Sequence, residues 1–145
     1  MDLIKTMDMA AGGMTAQRAR LNVISMNLAN ANTTRTQDGT PYRRKTVIFE
    51  TVPMARSFQE KLEHALDRQI QGVRVRQVTP VEGEFKRIFD PAHPDADEEG
   101  YVYLPNVNLV EEMVHMLNAN RAYEANAAAI KTAKEMALKA LDIGR

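Results

Sequence analysis

The chain has 145 residues, and its 19 Lys and Arg are balanced by 19 Asp and Glu. That length suits one ordinary domain, or one domain with long arms, and the zero net charge argues against a general nucleic-acid binder, which is normally basic. Cysteine is absent, which excludes disulfides, thiolate catalysis and Cys-ligated zinc and suits an oxidising compartment. No run approaches the roughly 20 apolar residues of a membrane-spanning helix. The start, Met1-Asp2-Leu3-Ile4-Lys5, lacks the basic and then apolar pattern of a cleavable secretory signal, so passage out of the cytoplasm is expected to use another route.

The spacing predicts a helix over residues 1–32. Leu3, Met7, Ala10, Met14, Gln17, Leu21, Ile24, Leu28 and Ala31 recur at alternating steps of four and three, and only Gln17 is polar. That is a heptad seam of the kind that packs one helix on another. Gly12-Gly13 weakens it by about 1 kcal/mol per glycine relative to alanine and marks a hinge or a place where a neighbour comes close. The middle, 33–105, holds all six prolines and changes period. Val73–Val78 alternates, and Thr46–Val52 and Glu84–Phe89 are rich in β-branched or aromatic residues, so all three predict strands. Phe58–Gln69 is charged and amphipathic, a short helix or an insertion.

A second helix is expected over 106–143. Leu109, Met113, Met116, Asn120, Tyr123, Ala127, Ile130, Lys134, Ala137 and Leu141 follow the same alternation, broken at Asn120 and Lys134. Pro105 with Asn106 or Asn108 supplies a start, Glu111 and Glu112 sit near the positive end of the dipole, and Gly144 is a stop. Each helix would run about 45–55 Å. The expected fold is therefore α+β: long N- and C-terminal helices pairing as a coiled-coil-like hairpin, with a small irregular β-rich middle module. Three regions follow, 1–32, 33–105 and 106–145.

The helix surfaces are unusual. Between Met9 and Asn32 the only charges are Arg18 and Arg20, whereas a solvated coiled coil covers its outside with Glu and Lys. Asn22, Asn27 and Asn30 are poor helix formers that can bridge to neighbouring backbones. Six alanines fall between 119 and 129 and permit close approach. Several faces of both helices are thus expected to be covered, and one helix pair cannot cover them all. Charge is also uneven: residues 33–89 carry 11 basic and 7 acidic groups, and residues 90–145 carry 5 and 10. Such asymmetry suits head-to-tail association or an intramolecular contact. The packing residues are expected to be Leu3, Met7, Met14, Leu21, Ile24 and Leu28 against Leu109, Met113, Met116, Tyr123, Ile130 and Leu141, each worth about 1.5–3 kcal/mol when buried.

Candidate chemistry is sparse. Asp95, Asp97, Glu99 and Gly100 match part of a calcium-loop register, but Asn106 stands where the bidentate carboxylate belongs, so the segment reads as a solvated acidic turn. His64, His93 and His115 lack a third convergent metal ligand. Ser25 and Ser57 lie in no nucleophile elbow, and the glycines form no phosphate loop. Arg43-Arg44-Lys45 beside Tyr42 is short and precedes a strand, so it reads as a solvated or partner-facing patch. No catalytic residue, cofactor or metal is expected. From periodicity alone the competing reading is a monomeric antiparallel helical hairpin with a polar-amide surface, and the competing function is a soluble helical adaptor or chaperone-like binding module.

Three separated runs add a resemblance. Leu21-Asn22-Val23-Ile24-Ser25-Met26-Asn27-Leu28-Ala29-Asn30-Ala31-Asn32-Thr33-Thr34 resembles the N-terminal signature of the bacterial flagellar rod, hook and hook-filament axial protein family. Asp90-Pro91-Ala92-His93-Pro94-Asp95-Ala96-Asp97, Gly100-Tyr101-Val102 and Pro105-Asn106-Val107-Asn108 resemble a rod member of that family. Met116-Leu117-Asn118-Ala119-Asn120-Arg121-Ala122-Tyr123-Glu124-Ala125-Asn126 matches its C-terminal signature. Phe58–Gln71 is more charged and less glycine-rich than such proteins show.

The resemblance implies a non-enzymatic subunit of the basal-body rod, in its proximal part. The terminal helices would pack with those of neighbouring subunits into a hollow, torque-transmitting shaft and export channel. It implies delivery by the flagellar type III export apparatus without signal cleavage, and a place in the rod that spans the periplasm. Partners would be other rod proteins and the rod–base junction protein, with no nucleic acid and no membrane span.

Overall fold

A computed structural model describes residues 3–53 and 71–143. The elements in chain order are α1 (Leu3–Ala29), β1 (Lys45–Pro53), β2 (Gln71–Pro80), β3 (Lys86–Phe89), β4 (Tyr101–Leu104) and α2 (Leu109–Ile143). The expected short helix over 58–69 and the stop at Gly144 lie outside the described residues. Among the described residues the architecture is α+β, two long helices and two small antiparallel ribbons, β1–β2 and β3–β4.

The helices run antiparallel. Asn27, near the end of α1, meets Glu112 at the start of α2, and Gly13 lies against Asn126. One side of α1 packs along α2 and another against β1 and β2. Among the described elements, α2 makes extensive contact with α1 alone. This explains the burial: Ala10, Ala16, Val23 and Ile24 of α1 are buried, whereas most of α2 is exposed. Gly12-Gly13 is where both neighbours close in. A Cβ on Gly12 would stand 3.2 Å from the Val73 carbonyl oxygen of β2, and one on Gly13 would stand 2.9 Å from Asn126 Nδ2 of α2.

β1 and β2 pair from Lys45↔Pro80 to Pro53↔Gln71, with a register shift between Ile48 and Phe49. Such a bulge adds local twist, which lets the ribbon follow α1. The Glu50 and Arg74 side chains face each other across it and form an ion pair. β4 is a strand that the sequence reading did not anticipate, pairing with β3 from Lys86↔Leu104 to Phe89↔Tyr101. The acidic turn between them is closed by backbone bonds from Asp90 N to Gly100 O and from Gly100 N to Asp97 O. Gly100 has φ 83°, the left-handed region that glycine enters at little cost.

Candidate functional site

The three parts of the chain meet at a buried polar junction. Asn27 is 1% exposed and Glu112 is fully buried. Asn27 Nδ2 donates to the Lys45 carbonyl at 2.8 Å and to Glu112 Oε2 at 2.9 Å. Its Oδ1 accepts from Lys45 N at 2.9 Å and from the Tyr42 hydroxyl at 3.0 Å. All four hydrogen-bonding positions of the amide are filled, as a buried amide requires. Arg44 Nε donates to Glu112 Oε1 at 2.6 Å, and His115 Nδ1 lies 3.6 Å from that oxygen. Asn106 extends the network: its Oδ1 accepts from Arg44 N at 2.9 Å and its Nδ2 donates to the Val81 carbonyl at 3.1 Å. One amide, one carboxylate and one guanidinium thereby clamp α1, the first turn of α2 and the entry to β1.

Local sequence places these groups. Asn108 caps α2 by accepting from Val110 N at 3.1 Å, which leaves Asn106 to bridge Arg44 and Val81. Glu112 then falls one turn into the helix. Burial works to raise its carboxyl, but hydrogen bonds from Asn27 and Arg44, with the charges of Arg44 and His115, hold it below its ordinary value of 4.5. Burial first, and then the Glu112 charge, push the Tyr42 hydroxyl up from 10.0, so it stays protonated and donates to Asn27.

The expected packing residues divide into two groups. Leu3, Met7, Met14, Leu21 and Leu28 are half-buried and Ile24 is 4% exposed. On α2, Met116, Tyr123 and Ile130 are half-buried, but Leu109, Met113 and Leu141 are 50%, 57% and 69% exposed. The expected pairing of those three with α1 is therefore corrected. The inward seam of α2 is Glu112, Met116, Ala119, Tyr123, Asn126, Ile130, Ala133 and Ala137, with Ala119 and Ala133 at 0% and 2% exposure. It shares every second position with the expected series and takes the residue one earlier at the others. Alanine takes two of those places, Ala119 and Ala133, and Asn126 fills the space left by Gly13. Asn120 and Lys134, which broke the expected series, are exposed. Outside the seam, Leu109, Val110, Met113, Val114 and Leu117 form an exposed apolar stripe on the first half of α2.

The residues marked by resemblance scatter. Asn27 and Asn106 enter the junction, and Pro105 is buried. Ala29 is exposed, Asn30 Nδ2 donates to the Met26 carbonyl at 2.8 Å, and Asn120 Nδ2 donates to Glu124 Oε1 at 3.2 Å. Asp90, Pro91, His93, Pro94, Gly100 and Tyr101 build the β3–β4 turn. In it His93 Nδ1 accepts from Asp95 N, and Asp97 Oδ1 accepts from Glu99 N and Tyr101 N. Of the calcium-like register, the Asp97 carboxylate thus serves the backbone and the Asp95 carboxylate accepts from the Thr34 hydroxyl, and among the described residues no group of three or more His, Asp or Glu is placed to hold a metal. The basic run is not uniformly solvated: Arg43 lies over Phe85, whereas Arg44 turns inward. The sequence reading missed Tyr42, Arg44 and Glu112 as a unit. The available signal was a carboxylate four residues before Met116, on the seam's own period.

Comparison with known proteins covers both helical ends. A family model described as flagella basal body rod protein matches residues 7–36, and one described as flagellar basal body rod FlgEFG protein C-terminal matches residues 98–143. The flagellar basal-body rod protein FlgC of Borreliella burgdorferi is 48% identical over 99% of this chain and 98% of its own length. The FlgC proteins of Bacillus subtilis and Salmonella typhimurium are each 38% identical, with both chains covered end to end.

Proposed function

The chain belongs to the family of the flagellar basal-body rod protein FlgC, and from that premise we propose how it serves as a structural subunit of the flagellar basal-body rod. The observation that carries the mechanism is the one-sided burial of α2. One face docks on α1, and the stripe Leu109, Val110, Met113, Val114 and Leu117 is left outward. Patches of that kind mark surfaces that bury themselves against other proteins. Neighbouring subunits supply the cover, so that paired terminal helices line a hollow shaft and Leu3, Met7, Leu109, Met113 and Leu141 pack between chains. The buried junction holds the middle module at a set angle to the helices, so torque passes through the subunit without loosening it.

In this reading the protein sits in the proximal rod and spans the periplasm with its partners, the other rod proteins and the rod–base junction protein. The flagellar type III apparatus exports it without cleaving a signal. No step of this role requires catalysis or a cofactor. The test is Leu117→Asp, at a side chain 60% exposed in the single chain. The isolated variant keeps its helix content and melting temperature, because surface changes rarely exceed about 0.5 kcal/mol. Cells carrying it as their only copy lose motility, and their purified basal bodies lack the subunit. Normal swimming by those cells would remove the packing role assigned to this stripe.

A further inference from the structure

We propose that the outer face of the β3–β4 ribbon is a self-association surface, which receives the acidic tip of the same ribbon from the next copy of the chain. The inference rests on the rod-subunit reading and adds to it a contact outside the helices. The register sets Arg87 opposite Tyr103 and Phe89 opposite Tyr101, so these four share one face, and Ile88 and Val102 share the other. Val102 is 4% exposed and turns the β4 side of that second face toward the body, with Ile88 beside it 48% exposed, whereas Phe89 and Tyr103 on the first face are 63% and 41% exposed. The Arg87 guanidinium lies 3.9 Å over the Tyr101 ring, and the Phe89 ring meets Tyr101 edge-on at 5.2 Å. A chain with four Phe and four Tyr thus sets three of them beside one arginine on a single outward face. Aromatic residues and arginine are the types that interface centres concentrate.

The occupant is argued from charge and from rigidity. Residues 90–100 at the ribbon's tip contain Asp90, Asp95, Asp97, Glu98 and Glu99 and no Lys or Arg. Asp97 and Asp95 are already engaged, the first within the turn with backbone N–H groups and the second with the Thr34 hydroxyl of the segment after α1. Glu98 and Glu99 are exposed. A tip already fixed by its own hydrogen bonds and an arginine already stacked on a ring lose little freedom on docking, and their opposite charges fix the register. Face and tip are different surfaces, so the contact is heterologous, the class of contact from which a helical array is built.

The cysteine-free chain permits a direct test. Tyr103→Cys and Glu99→Cys are placed on separate copies, co-expressed in cells lacking the native gene, and basal bodies are oxidised and purified. A disulfide-linked dimer at about tenfold the yield of a control pair, Asp38→Cys with Glu99→Cys, supports the contact. Arg87→Glu on the first copy lowers that yield about tenfold, and Glu98→Lys on the second restores it. Phe89→Cys with Glu98→Cys gives the same answer independently, should one variant fold poorly. Basal bodies that contain both variants but no dimer, or a cysteine joined to a different protein, overturn the self-contact and leave the rod reading standing. Absence of the unmodified chain from basal bodies overturns both.

Discussion

Glu112 brings a carboxylate into a seam otherwise made of Met, Ala, Tyr, Ile and one Asn, and Asn27 with Arg44 makes that position tenable. Removing one partner of a buried pair leaves an uncompensated charge, which costs about 3–5 kcal/mol, so Arg44→Met should unfold the junction at moderate denaturant while an exposed change such as Arg43→Met does not. The pH dependence follows from the depressed carboxyl of Glu112. In the unfolded chain Glu112 returns to its ordinary value, so its contribution is complete above about 4.5 and is lost as pH falls through the lower folded-state value. Thermal melts of the isolated protein and of Glu112→Gln should therefore differ most near neutrality and converge in acid. A constant difference between the two would show that Glu112 is not held ionised by this network. Gln17, the polar member of the α1 seam, contributes in the other direction: its Oε1 is buried without a hydrogen-bond partner among the described residues, a cost of about 1–3 kcal/mol.

The elements differ in how far their own residues announced them. β1 and β2 alternate or are β-branched, and they form where Thr46–Val52 and Val73–Val78 said they would, extended by a residue or more at each end. Tyr101–Leu104 carries the same signal in miniature but was absorbed into the proline-rich turn before it, because four residues are too few to stand apart from their neighbours. α1 is the best covered element, and its two glycines are the reason both a strand and a helix can reach it. Gly12→Val should push β2 off α1, since the nearest atom is a backbone carbonyl that has no rotamer to escape into. Overpacking of this kind costs about 1–3 kcal/mol, more than the helix-propensity gain of replacing glycine. Denaturant titration would show a lowered midpoint, and a raised midpoint would mean that β2 is not held against this turn.

At the scale of the molecule, the imbalance between the helices sets the order of events in assembly. α1 has neighbours on two sides, whereas the far half of α2 has α1 on one side only. Amide exchange of the isolated chain should be slower across residues 16–27 than across 131–142, and both segments should become protected in the assembled rod. Equal protection in the free chain would mean that α2 is complete by itself and needs no neighbours.

The sequence by itself determined two long helices, the change of period between them and the strands of the first ribbon, because apolar spacing and proline placement act through nearest neighbours along the chain. It also carried the signature runs that mark the rod family. What only the tertiary structure decided was the phase of α2. Met113 and Ala119 both lie on apolar-looking sides of that helix, and the choice between them belongs to the surface opposite. The gap left by Gly13 admits the Asn126 side chain, and the amide of Asn27 selects Glu112. A helix carries every one of its faces in its own spacing, but which face turns inward is settled by the shape and hydrogen-bonding needs of the partner it meets.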